Sequence, residues 1–403
     1  MRVSAGAFYR DFIILSWFRQ KQRTRKWVHS RYRKAFYRSL GREPRRRRDR
    51  RIPRIALQDP HQSAWRKVYN SQSDQAMITL TGLDRAAFHS LLECFQGRYN
   101  EFTPHTKTGE LQRLTGSSRG RPRLMSPSDC LALYLAWTRL RGSNFVLSMI
   151  FGMTGTSVSV YLRFARRLLI ATLQRHPLAT LVLPTPEKIE EFRKLIADRH
   201  PALANVWCTM DGLKLYLEQS PETVIQSRFF NGWTHDHYVT SVLVFCPDGT
   251  IPMACYNVPG SVHDSTIAEW GGIYAKLQRV YDQTGGATCT VDSAFCRKEA
   301  PFLIKSSQTD PVTNSPEELL VNRDATSMRQ AAEWGMRSLQ SSFPRLKERL
   351  VYEEAGERRF ILKLMILLYN YRARTVGINQ IRNTYMPNLE IDANEMYVLP
   401  LME

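Results

Sequence analysis

The stretch that decides the fold is Val206-Trp207-Cys208-Thr209-Met210-Asp211-Gly212. Its first five residues are apolar or β-branched, which predicts a short buried strand that ends at Asp211-Gly212. Before this stretch, apolar residues recur at helical spacing; after it, the chain becomes rich in strand-forming residues. The sequence therefore predicts an α/β chain in which a helical region precedes a sheet.

Further strands are predicted downstream. Residues 238–246 and 251–258 are β-rich and flank the turn Pro247-Asp248-Gly249-Thr250, a pattern typical of an antiparallel hairpin. Residues 287–291 form another strand candidate, which ends at Asp292. Helical patterns then return at residues 327–343 and 357–371, as expected for helices that cover a sheet.

The region of residues 75–200 has helical periodicity. Ser126-Pro127-Ser128-Asp129 is a typical helix start, with proline at the first helical position. Residues 143–151 and 155–173 flank the turn Gly152-Met153-Thr154, an order typical of a helix-turn-helix. In that interpretation, Ser157, Ser159, Tyr161 and Arg163 lie near the start of the second helix, where they would contact base edges. Arg163, Arg166 and Arg167 are the candidates for phosphate contacts. A plain helical bundle explains the same pattern.

Charge is concentrated at the N-terminus. Residues 1–55 hold 19 Lys and Arg against 3 Asp and Glu, a net charge of +16, which leaves about +4 of the total +20 for the rest. Such an arm favours a polyanionic partner, although a solvated tail is the alternative. The run Arg45-Arg46-Arg47-Arg48-Asp49-Arg50-Arg51 is a candidate nuclear localisation signal, and Arg119-Gly120-Arg121-Pro122-Arg123 has the form of an AT-hook or of a linker.

Cysteine usage and hydropathy limit the class of protein. Seven scattered cysteines without a C-x-x-C pair argue against a disulfide framework and a zinc finger. No apolar run reaches the roughly 18 residues that span a bilayer. We therefore expect an intracellular protein without a membrane partner.

Four acidic residues are the candidates for chemistry. Asp211 and Asp292 end strand candidates, Asp264 follows the hairpin, and Glu333 lies on a helix with Arg329 and Arg337 one turn to either side. Carboxylates from neighbouring strands and a helix can converge on divalent cations, which prefer hard oxygen ligands. Each residue also has a structural explanation: a turn, a helix cap, or a surface ion pair.

The order of these motifs resembles the nuclease domain of PIF/Harbinger transposases. The matching pieces are Met210-Asp211-Gly212, Pro259-Gly260-Ser261-Val262-His263-Asp264-Ser265, Val291-Asp292-Ser293-Ala294-Phe295, Arg329-Gln330-Ala331-Ala332-Glu333-Trp334-Gly335, Phe343-Pro344-Arg345-Leu346-Lys347, and the tail pieces Asn370-Tyr371-Arg372 and Gly377-Ile378-Asn379-Gln380. Ala294-Phe295 departs from the family's common Gly-Tyr. The resemblance covers about residues 80–385.

The resemblance implies an RNase H-like mixed sheet flanked by helices, preceded by an all-α helix-turn-helix domain. It implies the catalytic residues Asp211, Asp292 and Glu333, with Asp264 as a further metal ligand. Two Mg²⁺ or Mn²⁺ ions would serve cleavage of transposon ends and joining to target DNA. A nuclear location, a Myb-like accessory protein and a homo-oligomer are also implied.

The implied organisation is a basic arm at residues 1–70, a helix-turn-helix region at 75–200, a nuclease domain at 201–385 and a tail at 386–403. Two rival hypotheses stay open. One is a domesticated, non-cleaving DNA-binding protein derived from a transposase, and the other is an unrelated phosphohydrolase with a similar acidic cluster.

Overall fold

A helical region precedes the sheet, as predicted, and its first described α-helix begins at Ala64. In the computed structural model, the described residues are 52–104, 110–114, 123–219, 223–295, 300–306, 315–351 and 355–386. The basic run Arg45 to Arg51 and the hook residues Arg119 and Arg121 lie outside them. The helices of this region are α1 Ala64–Asn70, α2 Asp74–Thr81, α3 Arg85–Glu101, α4 Pro127–Arg139, α5 Asn144–Phe151, α6 Gly155–Leu173 and α7 Pro186–Ala197. The two-residue strands β1 Phe102–Thr103 and β2 Gln112–Arg113 pair between α3 and α4.

Local sequence explains where these helices begin and turn. Ser126 caps α4 through a capping box with Asp129, and Pro127 occupies the first helical position, which confirms the predicted start. Gly152 ends α5 at φ 65°, and a Cβ there would lie 2.5 Å from the Gln58 carbonyl oxygen. Only glycine fits this turn, which separates the two predicted helices.

A mixed sheet follows the helical region. Its strands are β3 Val206–Tyr216, β4 Phe230–Asn231, β5 Asp236–Phe245, β6 Met253–Pro259, β7 Thr288–Val291 and β8 Leu303–Lys305. Strand order is β4-β5-β3-β7-β8, with β6 also on β5. The β3–β5 and β5–β6 pairs are antiparallel, as predicted for the hairpin, whereas β3–β7 and β7–β8 are parallel.

Strand β3 is longer than predicted. The sequence predicted an end at Asp211-Gly212, which is wrong, because β3 continues to Tyr216. Asp211 pairs with Leu243 and Gly212 with Val242 on β5, so these backbone groups are satisfied within the sheet. Leu213 and Leu215 are also buried, and burial of these apolar side chains stabilises the continued strand.

Helices cover both faces of the sheet, which gives an RNase H-like architecture. Helices α9 Asp264–Trp270 and α10 Ile273–Gln283 share one apolar cluster with Trp207 and Val242. On the other face, α11 Pro316–Ser342 and α12 Ala355–Thr375 join Leu213 and Val239 in a cluster that extends into the helical region. The remaining described α-helices are the short α8 Thr223–Phe229 and α13 Gln380–Tyr385.

The tail motif Asn370-Tyr371-Arg372 links the sheet to the helical region. The fully buried Asn370 side chain accepts from Ile251 N at 2.8 Å and donates to Ile251 O at 2.9 Å. Tyr371 Oη donates to the Ala87 carbonyl in α3, and Arg372 Nε donates to the Gly82 carbonyl after α2. The motif therefore has a structural role that its sequence alone did not reveal.

None of the described helices is by itself long and apolar enough to cross a bilayer. Helices α5 and α6 satisfy the length and composition together, but they are bent by 97° at the intervening turn.

Candidate active site

Asp211 and Asp292 are brought side by side by parallel pairing. Met210 of β3 is in register with Val291 of β7, so the two aspartates are the next residues on neighbouring strands. Adjacent strands lie about 4.8 Å apart, and residues in register share a face. A hydrogen bond from Thr209 Oγ1 to the Thr290 carbonyl, 3.3 Å, fixes this register two residues earlier.

The Asp211 carboxyl is mostly buried, unlike the more exposed Asp292. Burial is the main cause that raises the pKa of Asp211 to about 6, and the nearby charges of Asp292 and Asp264 raise it further. The hydrogen bond from Gly212 N to Asp211 Oδ1, 2.7 Å, opposes the shift, as does the positive charge of Arg329. Asp211 thus combines a fixed position with a proton affinity higher than that of an ordinary aspartate.

Helix α11 carries Glu333 across the same face of the sheet. Gly335, two residues later, lies against the Phe245 ring of β5, where a Cβ would come within 2.5 Å of ring carbon Cε1. Ala331 and Ala332 are fully buried at this contact face. Small side chains therefore allow the helix to approach the sheet closely, while Glu333 remains 41% exposed at the edge of the interface.

Arg329 connects two of the candidate acids. Its Nη1 donates to Asp292 Oδ1 at 3.0 Å, and its Nη2 lies 4.0 Å from Glu333 Oε1. Arg329 Nη1 also donates to Ser306 Oγ after β8, 3.3 Å. Arg337, which is 76% exposed, lies 3.7 Å from the other Glu333 oxygen. The sequence placed Arg329 beside Glu333 by helical spacing, but its contact with Asp292 depends on how α11 crosses the sheet.

Asp264 approaches from the other face of β3. Its carboxylate occupies the space where a Gly212 side chain would be, with Cγ 2.8 Å from the ideal Cβ position. Successive strand residues point to opposite faces, so Gly212 and Asp211 direct their side-chain positions away from each other. Burial raises the pKa of Asp264, and Lys214 and His263 oppose that shift. The metal-ligand role predicted for Asp264 stays a prediction.

The donor chemistry of Asp211, Asp292 and Glu333 fits a hard divalent cation, because all three offer carboxylate oxygens on one face. Among the described residues, no group of three or more His, Cys, Asp or Glu is close enough to hold a metal ion. The guanidinium of Arg329 lies between Asp292 and Glu333 and balances their charge. Binding of metal by all three carboxylates therefore requires Arg329 to move.

Ala294-Phe295 stands where the family that the sequence resembles commonly has Gly-Tyr, and packing explains the phenylalanine. Phe295 is fully buried in the apolar cluster beneath the Asp292 loop. A buried phenol would need a hydrogen-bond partner there, whereas phenylalanine needs none.

The predicted helix-turn-helix residues differ in their exposure. Ser159 and Arg163 are exposed on α6, and Ser157 is half-buried, with Oγ 3.1 Å from the Thr154 hydroxyl. Tyr161 is buried, and its hydroxyl accepts from Leu124 N, so it is not available to bases. Of these four predicted base contacts, Ser159 and Arg163 are therefore the two that are exposed.

The remaining predicted DNA contacts are engaged inside the protein. Arg166 and Arg167 both pair with Glu357 of α12, the latter at 3.4 Å, beside a cavity of about 290 Å³. Arg123 donates to the carbonyls of Tyr99 and Phe102, the second at 2.8 Å, and lies 4.5 Å from the centre of the Tyr99 ring. Each of these three arginines therefore has partners within the protein, so its position does not require a contact with DNA.

Comparison with known proteins gives one match, to a protein family, in the predicted nuclease region. No curated protein and no solved structure matches the chain significantly. The family model described as DDE superfamily endonuclease matches residues 210–370, which contain all four candidate acids. This part of the chain is therefore similar to the transposase-like DDE nucleases.

Proposed function

We propose that the chain is a metal-dependent DDE endonuclease and transposase, in which Asp211, Asp292 and Glu333 are the catalytic residues. The observation that carries the proposal is the register of Met210 with Val291, which sets two aspartates side by side under the helix that bears Glu333. The match of residues 210–370 to a DDE endonuclease model supports the same assignment. The finer assignment to the PIF/Harbinger family rests on the motifs quoted above.

The three carboxylates, with Asp264 as a further candidate ligand, would hold two Mg²⁺ or Mn²⁺ ions. Such ions, when bound, activate an attacking water or 3′-hydroxyl and neutralise the leaving oxygen. The chain itself contributes orientation. The Gly335–Phe245 contact sets the distance of Glu333 from the sheet, and burial of Asp211 limits competition from water. Arg329 holds the Asp292 carboxylate in the metal-free protein.

The substrate is double-stranded DNA at transposon ends and at the target. Helices α5 and α6 meet at 97°, within the roughly 90–120° of helix-turn-helix pairs, and expose Ser159 and Arg163 on the second helix. This geometry supports DNA binding by the helical region. A nuclear location, a Myb-like partner and a homo-oligomer are part of the proposal through the family resemblance alone.

Strand cleavage of plasmid DNA in Mg²⁺ or Mn²⁺ tests the proposal. Asp211→Asn, Asp292→Asn and Glu333→Gln should each lower the cleavage rate at least a hundredfold while DNA binding persists. Asp282→Asn is the matched control, because Asp282 contacts only its helical neighbour Gln278 among the hydrogen bonds of α10. Equal cleavage by Asp211→Asn and the parent would refute the assignment.

The same assay separates the alternative functions. A domesticated DNA-binding protein would retain salt-sensitive DNA affinity without cutting. An unrelated phosphohydrolase would cleave small phosphoesters and show no such affinity.

A further inference from the structure

Strand β3 carries exposed side chains beyond the candidate acids. It extends five residues past Asp211, whereas the neighbouring strand β7 ends at Val291. Lys214 and Tyr216 are exposed on this extension, and both lie on the face where Asp264 covers Gly212. The Tyr216 ring also packs edge-to-face on Tyr238 of β5, with centroids 6.2 Å apart. The face of β3 that Asp264 approaches therefore continues past Gly212 with a polar side chain, Lys214, and an aromatic side chain, Tyr216. This face is opposite to the one that carries Asp211.

The turn between β4 and β5 presents Trp233 to solvent. Its side chain is 92% exposed, although the backbone around it is well held. Asn231 Oδ1 accepts from Trp233 N at 3.0 Å and from Thr234 N at 3.1 Å. Asn231 Nδ2 donates to the Gly260 carbonyl at 2.7 Å, in the loop that leads to Asp264. Trp233 is thus exposed to solvent on a turn whose Asn231 contacts the loop that leads to Asp264.

Basic residues lie around Tyr238, whose ring centre is 5.6 Å from Lys214 Nζ and whose hydroxyl is hydrogen-bonded to Thr234, next to Trp233. Arg228 is exposed at the end of α8, and its carbonyl accepts from Ser261 Oγ at 2.8 Å. Arg349 lies 5.9 Å from the Tyr216 ring centre and 3.5 Å from Asp236, whose charge it balances. Arg349 also donates to the Leu217 carbonyl at 3.0 Å, so it is engaged within the protein. We call the set of Lys214, Tyr216, Arg228 and Trp233 the aromatic platform.

We propose that the aromatic platform binds single-stranded DNA, through stacking of an unpaired base on Trp233 and contact of the cations with the phosphates. The inference rests on the proposed nuclease function, because strand cleavage creates unpaired ends, and Lys214 and Tyr216 lie on the face of β3 that Asp264 approaches. Exposed aromatic rings among cations are the arrangement that binds single strands without sequence preference. A paired duplex keeps its base faces stacked internally, so the complementary partner is an unpaired strand.

A second exposed tryptophan provides the matched control. Trp270 is 69% exposed at the end of α9, on a short helix whose neighbouring side chain is Glu269. It shares the size and exposure of Trp233 but is not part of the aromatic platform. Any loss common to both variants would reflect a general effect of removing a surface indole.

The test measures binding of a fluorescein-labelled oligothymidine to the full chain in EDTA, which prevents metal-dependent cleavage. Trp233→Ala should weaken binding roughly fivefold or more, the loss expected for one stacked base. Trp233→Phe should retain most of the affinity, and Trp270→Ala should leave it unchanged. Equal affinities of Trp233→Ala and Trp270→Ala would overturn the proposal.

Two further outcomes are informative. If Trp233→Ala lowers self-association in sedimentation experiments and leaves oligonucleotide affinity intact, the residue belongs to an interface between copies of the chain, and the proposal is overturned. If Trp233→Ala loses oligonucleotide binding while the parent cuts no DNA in Mg²⁺ or Mn²⁺, the platform stands and the nuclease assignment falls.

Discussion

Gly335 of helix α11 lies directly on the ring of Phe245 in strand β5, with no room for a methyl group between them. Phe245 pairs with Thr209, two residues before Asp211. Glu333 is two residues before Gly335. This one contact therefore sets the distance from the helix that carries Glu333 to the strand that carries Asp211.

Gly335→Ala should move α11 away from the sheet. We expect a loss of about 1–3 kcal/mol in the free energy of unfolding, the usual result of overpacking, and at least a tenfold loss of cleavage rate. Gly97→Ala in α3 is the control, since nothing lies within 4 Å of its Cβ position and alanine favours the helix. Urea unfolding and plasmid cleavage provide the measurements; an unchanged rate in Gly335→Ala would show that the contact does not position Glu333.

Asp211→Asn should stabilise the metal-free protein at pH 8. Burial raises the pKa of the folded-state carboxyl to about 6, above the roughly 3.9 of an unfolded chain. Between these values the folded state binds more protons, so its stability falls as pH rises from about 4 to 6. The asparagine variant lacks this loss, which is about 3 kcal/mol.

Thermal unfolding in EDTA from pH 4 to 8 tests the Asp211 prediction. The gap between Asp211→Asn and the parent should open across pH 4 to 6 and then remain constant. Asp282→Asn is the control for the removal of one carboxylate from the surface. A variant that is less stable than the parent at pH 8 would mean that the Asp211 charge is well compensated in the metal-free protein.

Local patterns predicted the helices and strands well because caps, turns and apolar spacing act within a few residues. Ser126 and Gly152 are examples, since each fixes an element boundary by its own chemistry. The end of β3 was mispredicted because Asp211-Gly212 is held by partners on β5, 30 or more residues along the chain. The contact of Arg329 with Asp292, and the approach of Asp264 from the opposite face, depend on strand order, which no local pattern encodes.

Arg329→Gln should change the response to metal more than Arg337→Gln. Arg329 contacts both Asp292 and Glu333, whereas Arg337 is more exposed and contacts Glu333 alone among these acids. Without Arg329, repulsion between the acids should lower the melting temperature in EDTA, and loss of the competing cation should tighten Mn²⁺ binding severalfold. Calorimetric titration with Mn²⁺ checks this; equal Mn²⁺ affinities in the two variants would contradict competition between Arg329 and the metal.

Arg163→Ala should weaken DNA binding at every sequence and lower the salt dependence. Arg163 is exposed on α6, and one lost phosphate contact reduces the slope of log affinity against log salt by about 1. Arg166→Ala should instead lower stability, because Arg166 pairs with Glu357 inside the fold. Fluorescence anisotropy over a salt series distinguishes the two, and an unchanged slope in Arg163→Ala would remove this face of α6 from the DNA interface.

Asn370→Ala should destabilise the protein although it lies far from the acids in the sequence. Asn370 is fully buried and satisfies both the N–H and the carbonyl of Ile251, between the turn and strand β6. Alanine would leave these two backbone groups without that partner, at about 1–3 kcal/mol each. Tyr371→Phe is the comparison, because it removes the bond to the Ala87 carbonyl and should cost about 1 kcal/mol. Urea unfolding measures both changes; a smaller loss for Asn370→Ala than for Tyr371→Phe would show that water replaces the amide and that the motif does not fix the hairpin.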